Sequence, residues 1–92
     1  KITLDGITVE SQNDDGDALF VNGGEVIVKN TTLIAEKAGI DVSQNGSDAT
    51  IIVDGATFKG FDPADSRTCA IEIRHDNKPV ELKGNNKFNN KK

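Results

Sequence analysis

The stretch Val26–Ala35, VIVKNTTLIA, decides how this chain is wound. Val26 and Val28 alternate with Ile27 and Lys29, a two-residue period that sets the valines on one face of a strand. Asn30 breaks the alternation, and Leu33 resumes an apolar pattern five residues after Val28. The same design recurs in Ile2–Ser11, ITLDGITVES, and Ile51–Gly60, IIVDGATFKG, with glycine where Asn30 stands. Apolar pairs therefore fall at Ile2/Leu4, Val26/Val28, Ile51/Val53 and Val80/Leu82, with starts 24, 25 and 29 residues apart. The insertion FDPADSRT, Phe61–Thr68, widens the last interval.

A further apolar residue, Val9, Leu33 or Phe58, follows each of the first three pairs by five residues, and Phe88 follows the fourth one residue late. A third pair then appears at Leu19/Val21, Ile40/Val42 and Ile71/Ile73, each preceded by a small residue, Ala18, Gly39 or Ala70. Each repeat thus holds three short strands. One repeat alone cannot shield its apolar face, but a stack of repeats can. No segment sustains helical i, i+3, i+4, i+7 spacing, and the corners are dense with Gly, Asn and Asp. The expected fold is all-β: a single-stranded parallel β-helix of about four rungs with three short strands per rung, right-handed as parallel connections nearly always are. Residues 1–92 read as one such domain, and its start at Lys1 inside an alternating pattern reads as a fragment of, or a module within, a longer chain.

In this register Asn30 aligns with Gly6, Gly55 and Gly84, where the chain turns sharply between strands. A left-handed corner favours Gly and tolerates Asn better than most residues, so positive φ is expected at all four. Asp5, Lys29, Asp54 and Lys83 share one outward column with alternating charge, spaced about 4.8 Å from strand to strand. A second outward column, Thr3, Ile27, Ile52 and Glu81, sets two isoleucines side by side, to be covered by a segment outside these residues or by a partner, or else left in solvent.

Composition narrows the function classes. A formal charge of -4 argues against nucleic-acid backbones, which call for a dense basic surface. No apolar run reaches the roughly 18–20 residues that span a bilayer, so membrane insertion is not expected. The single cysteine, Cys69, has no internal disulfide partner, and no Cys/His spacing suits zinc. It reads as a small residue packed at a corner.

The segments ITLDGITVES, VIVKNTTLIA and IIVDGATFKG, with ALFV, GIDV and AIEI in the third strands, resemble the right-handed parallel β-helix superfamily called pectate-lyase-like. In character they are closest to the adhesive pectate-lyase-like domains of bacterial surface proteins. The resemblance covers nearly the whole chain and implies a fold and an extracellular or cell-surface location. Enzymes of that superfamily carry an arginine base, calcium-binding acidic residues or paired catalytic aspartates in recognisable motifs, and no such motif is present here.

Candidate chemistry is correspondingly sparse. Asp41 and Glu72 align on adjacent third strands, with Arg74 and His75 just beyond; two carboxylates about 5 Å apart suit a retaining glycosidase, although solvated structural side chains at adjacent outward positions share that spacing. In QNDDGD, Asn13, Asp15 and Asp17 alternate as at the start of a calcium loop, but no glutamate closes it, and a solvated acidic turn is the default. The insertion offers Phe61, Asp62 and Asp65 as contact residues. The tail from Gly84 suggests a cap of stacked asparagines with Phe88 as plug.

The sequence therefore points to a non-enzymatic structural or adhesive module whose partners are neighbouring β-helix rungs, or a protein over the Ile27/Ile52 face. Its alternative is a polysaccharide-binding or polysaccharide-cleaving domain, which the absence of Trp and Tyr weakens.

Overall fold

The computed structural model describes residues 1–13, 16–45, 48–62, 64–65, 67–75 and 77–88. Each repeat folds as the alternation dictates, into two strands separated by the corner and a third after a longer turn. They are β1 (Ile2–Asp5), β2 (Thr8–Glu10) and β3 (Asp17–Val21); β4 (Glu25–Lys29), β5 (Thr32–Ile34) and β6 (Ala38–Val42); β7 (Thr50–Asp54), β8 (Thr57–Lys59) and β9 (Cys69–Ile73); then β10 (Val80–Lys83) and β11 (Lys87–Phe88). Every pairing is parallel. The sheets run β1-β4-β7-β10, β2-β5-β8-β11 and β3-β6-β9, so the described residues wind three full turns of a β-solenoid and two sides of a fourth, without a helix.

The register matches the sequence columns. Ile2, Val26, Ile51 and Val80 stack, as do Asp5, Lys29, Asp54 and Lys83. Inward side chains of the middle turns are sealed completely: Val28, Leu33, Ile40, Val42, Ile51, Val53 and Phe58 have no exposed surface. Their aliphatic shapes suit a pleated interior, and each turn is covered only by the turns beside it. At the ends that cover is incomplete, leaving Ile2 60%, Leu82 54% and Phe88 45% exposed. The tail closes its end in part: the Asn86 side chain accepts from the Ala56 amide (2.8 Å) and donates to the Val53 carbonyl (3.2 Å), and Phe88 stacks on Phe58 with centroids 5.1 Å apart. Asn89 and Asn90, also part of the expected cap, lie outside the described residues.

All four corners are left-handed, with φ of 71° at Gly6, 50° at Asn30, 69° at Gly55 and 66° at Gly84. The Asn30 amide side chain adds a bond that glycine lacks, donating from Nδ2 to Asp5 Oδ1 at 3.3 Å. Replacing Asn30 with alanine keeps a Cβ at this left-handed corner and removes both that bond and the side-chain amide that makes asparagine tolerant of positive φ, an expected loss of about 1–2 kcal/mol, whereas Asn30→Gly should cost well under half as much. Chemical denaturation of the two variants checks this, and equal losses would contradict it. Along the charged column, Lys29 Nζ lies 3.8 Å from Asp5, whereas Lys83 turns along its own strand to Glu81 at 3.7 Å.

Candidate functional site

The densest group of charged side chains lies on the outer side of the β3-β6-β9 sheet. Register places Phe20, Asp41 and Glu72 in one column there. Asp41 is fully buried despite its outward position. Its cover comes from outside the column: Arg74, the first residue after β9, donates a two-pronged fork to Asp41, Nε to Oδ1 at 2.9 Å and Nη2 to Oδ2 at 2.7 Å. The Arg74 amide continues the sheet by donating to the Val42 carbonyl at 3.1 Å, so the backbone itself aims the guanidinium. Lys37, one residue before β6, brings its ammonium to 4.0 Å from both Asp41 and Glu72. Glu72 also stands 3.9 Å from Arg74 Nε.

Asp17, at the start of β3, joins the same group. Burial pushes its carboxyl up to about 6, reinforced by a hydrogen bond with Asp41 and by that residue's charge. Burial acts on Asp41 in the same sense, but hydrogen bonds from Arg74 and Asp17 and the charges of Arg74 and Lys37 outweigh it and hold Asp41 below the ordinary carboxylate range. The hydrogen bond to Asp41 raises Arg74 further into its charged form. A proton shared by the two aspartates thus resides on Asp17. Asp17 Oδ1 is buried and has no partner of its own, which is consistent with a carboxyl that resists ionisation.

Such a divergent carboxyl pair is the electrostatic pattern of acid–base chemistry. The geometry here serves another end, because a carboxylate with no exposed surface and both oxygens held by a guanidinium cannot meet a substrate. Asp41 is not the solvated side chain that its column position suggests; it is the centre of an ion-pair network tying β3, β6 and β9 together.

The linkage sign follows from the two shifts. Asp17, raised in the folded state, contributes stability that is present below its ordinary value near 3.8 and is lost as pH rises through about 6. Asp41, lowered, contributes stability that is present above the ordinary range and is lost as pH falls through its folded value. Asp17→Asn, which cannot ionise and still donates, should raise the melting temperature by roughly 5 °C at pH 7 and flatten its dependence between pH 4 and 7. Melts across that range test it; a variant that parallels the parent throughout would contradict it.

Of the residues weighed as catalytic candidates, the structure gathers Asp41, Glu72 and Arg74. His75 lies in the following turn, where its Nδ1 accepts from the Asn77 amide at 3.2 Å. Of the residues weighed as calcium candidates, Asp17 belongs to the network just described, Asn13 has its carbonyl bonded to the Gly16 amide at 2.9 Å, and Asp15 lies outside the described residues. Among the described residues no cluster of three or more His, Cys, Asp or Glu side chains is placed to hold a metal ion. Cys69 is half-buried, and burial followed by the nearby Glu72, Asp41 and Asp17 charges pushes its thiol up, away from the reactive thiolate.

The insertion forms a second feature, a cleft of about 570 Å³ lined by Glu36, Lys37, Gly60, Asp62, Asp65, Arg67 and Thr68. Of the expected contact residues, Asp62 and Asp65 line this cleft. Phe61 corrects it: only 8% exposed, the ring is part of the core and anchors the insertion instead of facing a partner. The loop is self-bonded, with the Asp62 amide donating to Thr68 Oγ1 at 3.0 Å and Arg67 forking onto Asp65 at 3.0 Å through each nitrogen. That fork holds Asp65 below the ordinary range. Ile27 and Ile52 are adjacent, as expected, and half-buried; the most exposed apolar side chains are at the ends of the solenoid.

No protein-family model matches the chain, and no curated protein or solved structure matches it either.

Proposed function

We propose that this chain is a structural and adhesive module of the pectate-lyase-like kind, belonging to an extracellular or cell-surface protein, and that it works by joining neighbouring β-helical turns end to end while its insertion is displayed at the side. The observation that carries this reading is the contrast between a sealed middle and apolar ends: Val28, Ile51 and Val53 are wholly covered, while Ile2 and Leu82 in the same sheet are more than half exposed. A parallel strand edge with an apolar row beneath it is the surface a further turn covers. The forked, buried Asp41 supports the reading, since it consumes the best-placed carboxylate in holding the sheet.

Fusing an additional copy of residues 25–49 ahead of β1 tests it. The added turn should raise the melting temperature by several degrees. An unchanged or lowered melt would overturn the reading.

The alternative, polysaccharide binding or cleavage, draws on the 570 Å³ cleft, whose lining mixes Lys37 and Arg67 with three carboxylates. Titration with uronic-acid oligosaccharides and incubation with acidic polysaccharides separate the two readings. Product release that falls with Asp62→Asn, in the cleft, would establish cleavage; an inert protein would remove it.

A further inference from the structure

The strands of the β3-β6-β9 sheet are fastened to one another unequally on its outer side. Between β6 and β9 the ties are ionic and doubled: Arg74 forks onto Asp41 at 2.9 and 2.7 Å, and Lys37, just ahead of β6, stands 4.0 Å from Glu72. Between β3 and β6 the polar side-chain tie among the described residues is the hydrogen bond that Asp17 shares with Asp41. Phe20, the neighbour of Asp41 in register, is 57% exposed and has no polar group to add. The ladder is also interrupted beside Asp17, which pairs with Ala38 while Ala18 and Gly39 do not pair.

That tie depends on a proton. With one proton on Asp17, the carboxylates of Asp41 and Glu72 are balanced by Lys37 and Arg74; without it, three carboxylates face two cations. Asp17 Oδ1 is buried and has no partner, so a charge formed there is held away from water. Burial and the Asp41 charge both oppose that ionisation, Glu72 adds to them, and Lys37 acts the other way but is outweighed. Of the elements packed against β3, β6 thus brings Asp41 with Lys37 ahead of it, β2 carries Glu10 at its exposed end, and β5 carries no titratable residue. Glu72 and Arg74 face the pair from the next strand, and Asp14 and Asp15 lie outside the described residues.

We infer that the Asp17 and Asp41 carboxyl groups form a proton-operated latch between the first two turns: while the pair holds its proton it fastens β3 to β6, and loss of that proton loosens β3 while β6 and β9 stay joined through Arg74. The latch lies between two turns of the chain itself and does not depend on what adjoins β3 on its other side. It goes beyond the structural reading above, which stands or falls separately. Its direction follows from the raised Asp17 carboxyl: closure is firmest below the ordinary value of 3.8 and weakens as pH rises through about 6.

Amide hydrogen exchange at pH 5 and pH 7, corrected at each pH for the rate of an unprotected chain, tests the inference. The reporter of the β3-β6 joint is the Ser43 amide, which donates to the Val21 carbonyl at 2.9 Å; those of the β6-β9 joint are the Cys69 amide on Lys37 at 2.8 Å and the Arg74 amide on Val42 at 3.1 Å. Protection of Ser43 should fall about tenfold from pH 5 to pH 7, the ratio that a carboxyl moving from 3.8 to about 6 on closure dictates. At pH 7 Ser43 should also exchange at least about tenfold faster than Cys69 and Arg74, because β3 opens while the rest of the sheet stays closed. Asp17→Asn, which donates the same hydrogen bond and carries no titrating proton, should protect Ser43 equally at both pH values. Carbon NMR of the parent should find the Asp17 carboxyl titrating near 6. Ser43 protection indifferent to pH in the parent, exchange of all three amides at one rate at pH 7, a pH dependence that survives in Asp17→Asn, or an Asp17 midpoint near 3.8 would each overturn the inference.

Discussion

Replacing Arg74 with alanine should lower the melting temperature at pH 7 by about 10–15 °C, one of the largest effects of any single substitution outside the core. The loss comes from Asp41. With the fork removed, this buried carboxylate keeps the hydrogen bond with Asp17 and the Lys37 ammonium at 4.0 Å, and the desolvation that burial imposes is no longer offset by two charge-assisted hydrogen bonds. Arg74→Lys should recover little, because an ammonium cannot present two parallel donors to both oxygens. The variant's pH dependence should also change. Asp41 is held below its ordinary range chiefly by Arg74 once burial has been overcome, so without the guanidinium the stability it contributes near neutral pH is lost at a higher pH on acidification. Thermal melts at pH 4 and 7 measure both effects, and a shift below about 3 °C would show that Asp41 does not depend on Arg74.

Phe58→Ala should cost about 3–5 kcal/mol, a large share of the roughly 5–15 kcal/mol that holds a domain of this size. Phe58 is fully buried between Leu33 on one side and Phe88 on the other, its ring stacked on Phe88 with 5° between planes. It also explains the glycine in β6. A Cβ on Gly39 would stand 2.6 Å from the Phe58 ring and 2.9 Å from the Ala70 carbonyl, so this position is kept bare for that ring. With Phe58 truncated, Gly39 leaves nothing to fill the space, and the cavity cost adds to the lost burial. Urea denaturation of Phe58→Ala and Phe58→Leu measures this. Leucine should recover more than half of the loss, and an alanine variant within about 1 kcal/mol of the parent would contradict the packing.

The repeat made the fold legible. A period of two within strands and of about 25 between them is enough to align every inward residue, and Asn30 was readable as a corner because so few side chains accept positive φ. The charged network was legible only in part. Asp41, Glu72 and Arg74 could be placed near one another by column and adjacency, but the burial of Asp41 could not, since Arg74 lies beyond its strand and Lys37 ahead of β6. Asp17 was harder still. It sits three residues before Phe20 in β3, and strand pairing passes from Asp17–Ala38 to Leu19–Ile40 without an Ala18–Gly39 pair, so column counting alone does not carry Asp17 toward Asp41. Phe61 misled because it belongs to an insertion rich in turn residues, where an aromatic ring reads as a display element; its place in the core depends on how the loop folds back.

Interstrand contacts measured by nuclear magnetic resonance on the folded chain test the central claim, a parallel solenoid wound in one register, most directly. Backbone contacts should join Ile27 both to Thr3 and to Ile52, with a positive φ at Asn30. Contacts joining β4 to β5 as an antiparallel hairpin, or a negative φ at Asn30, would contradict it.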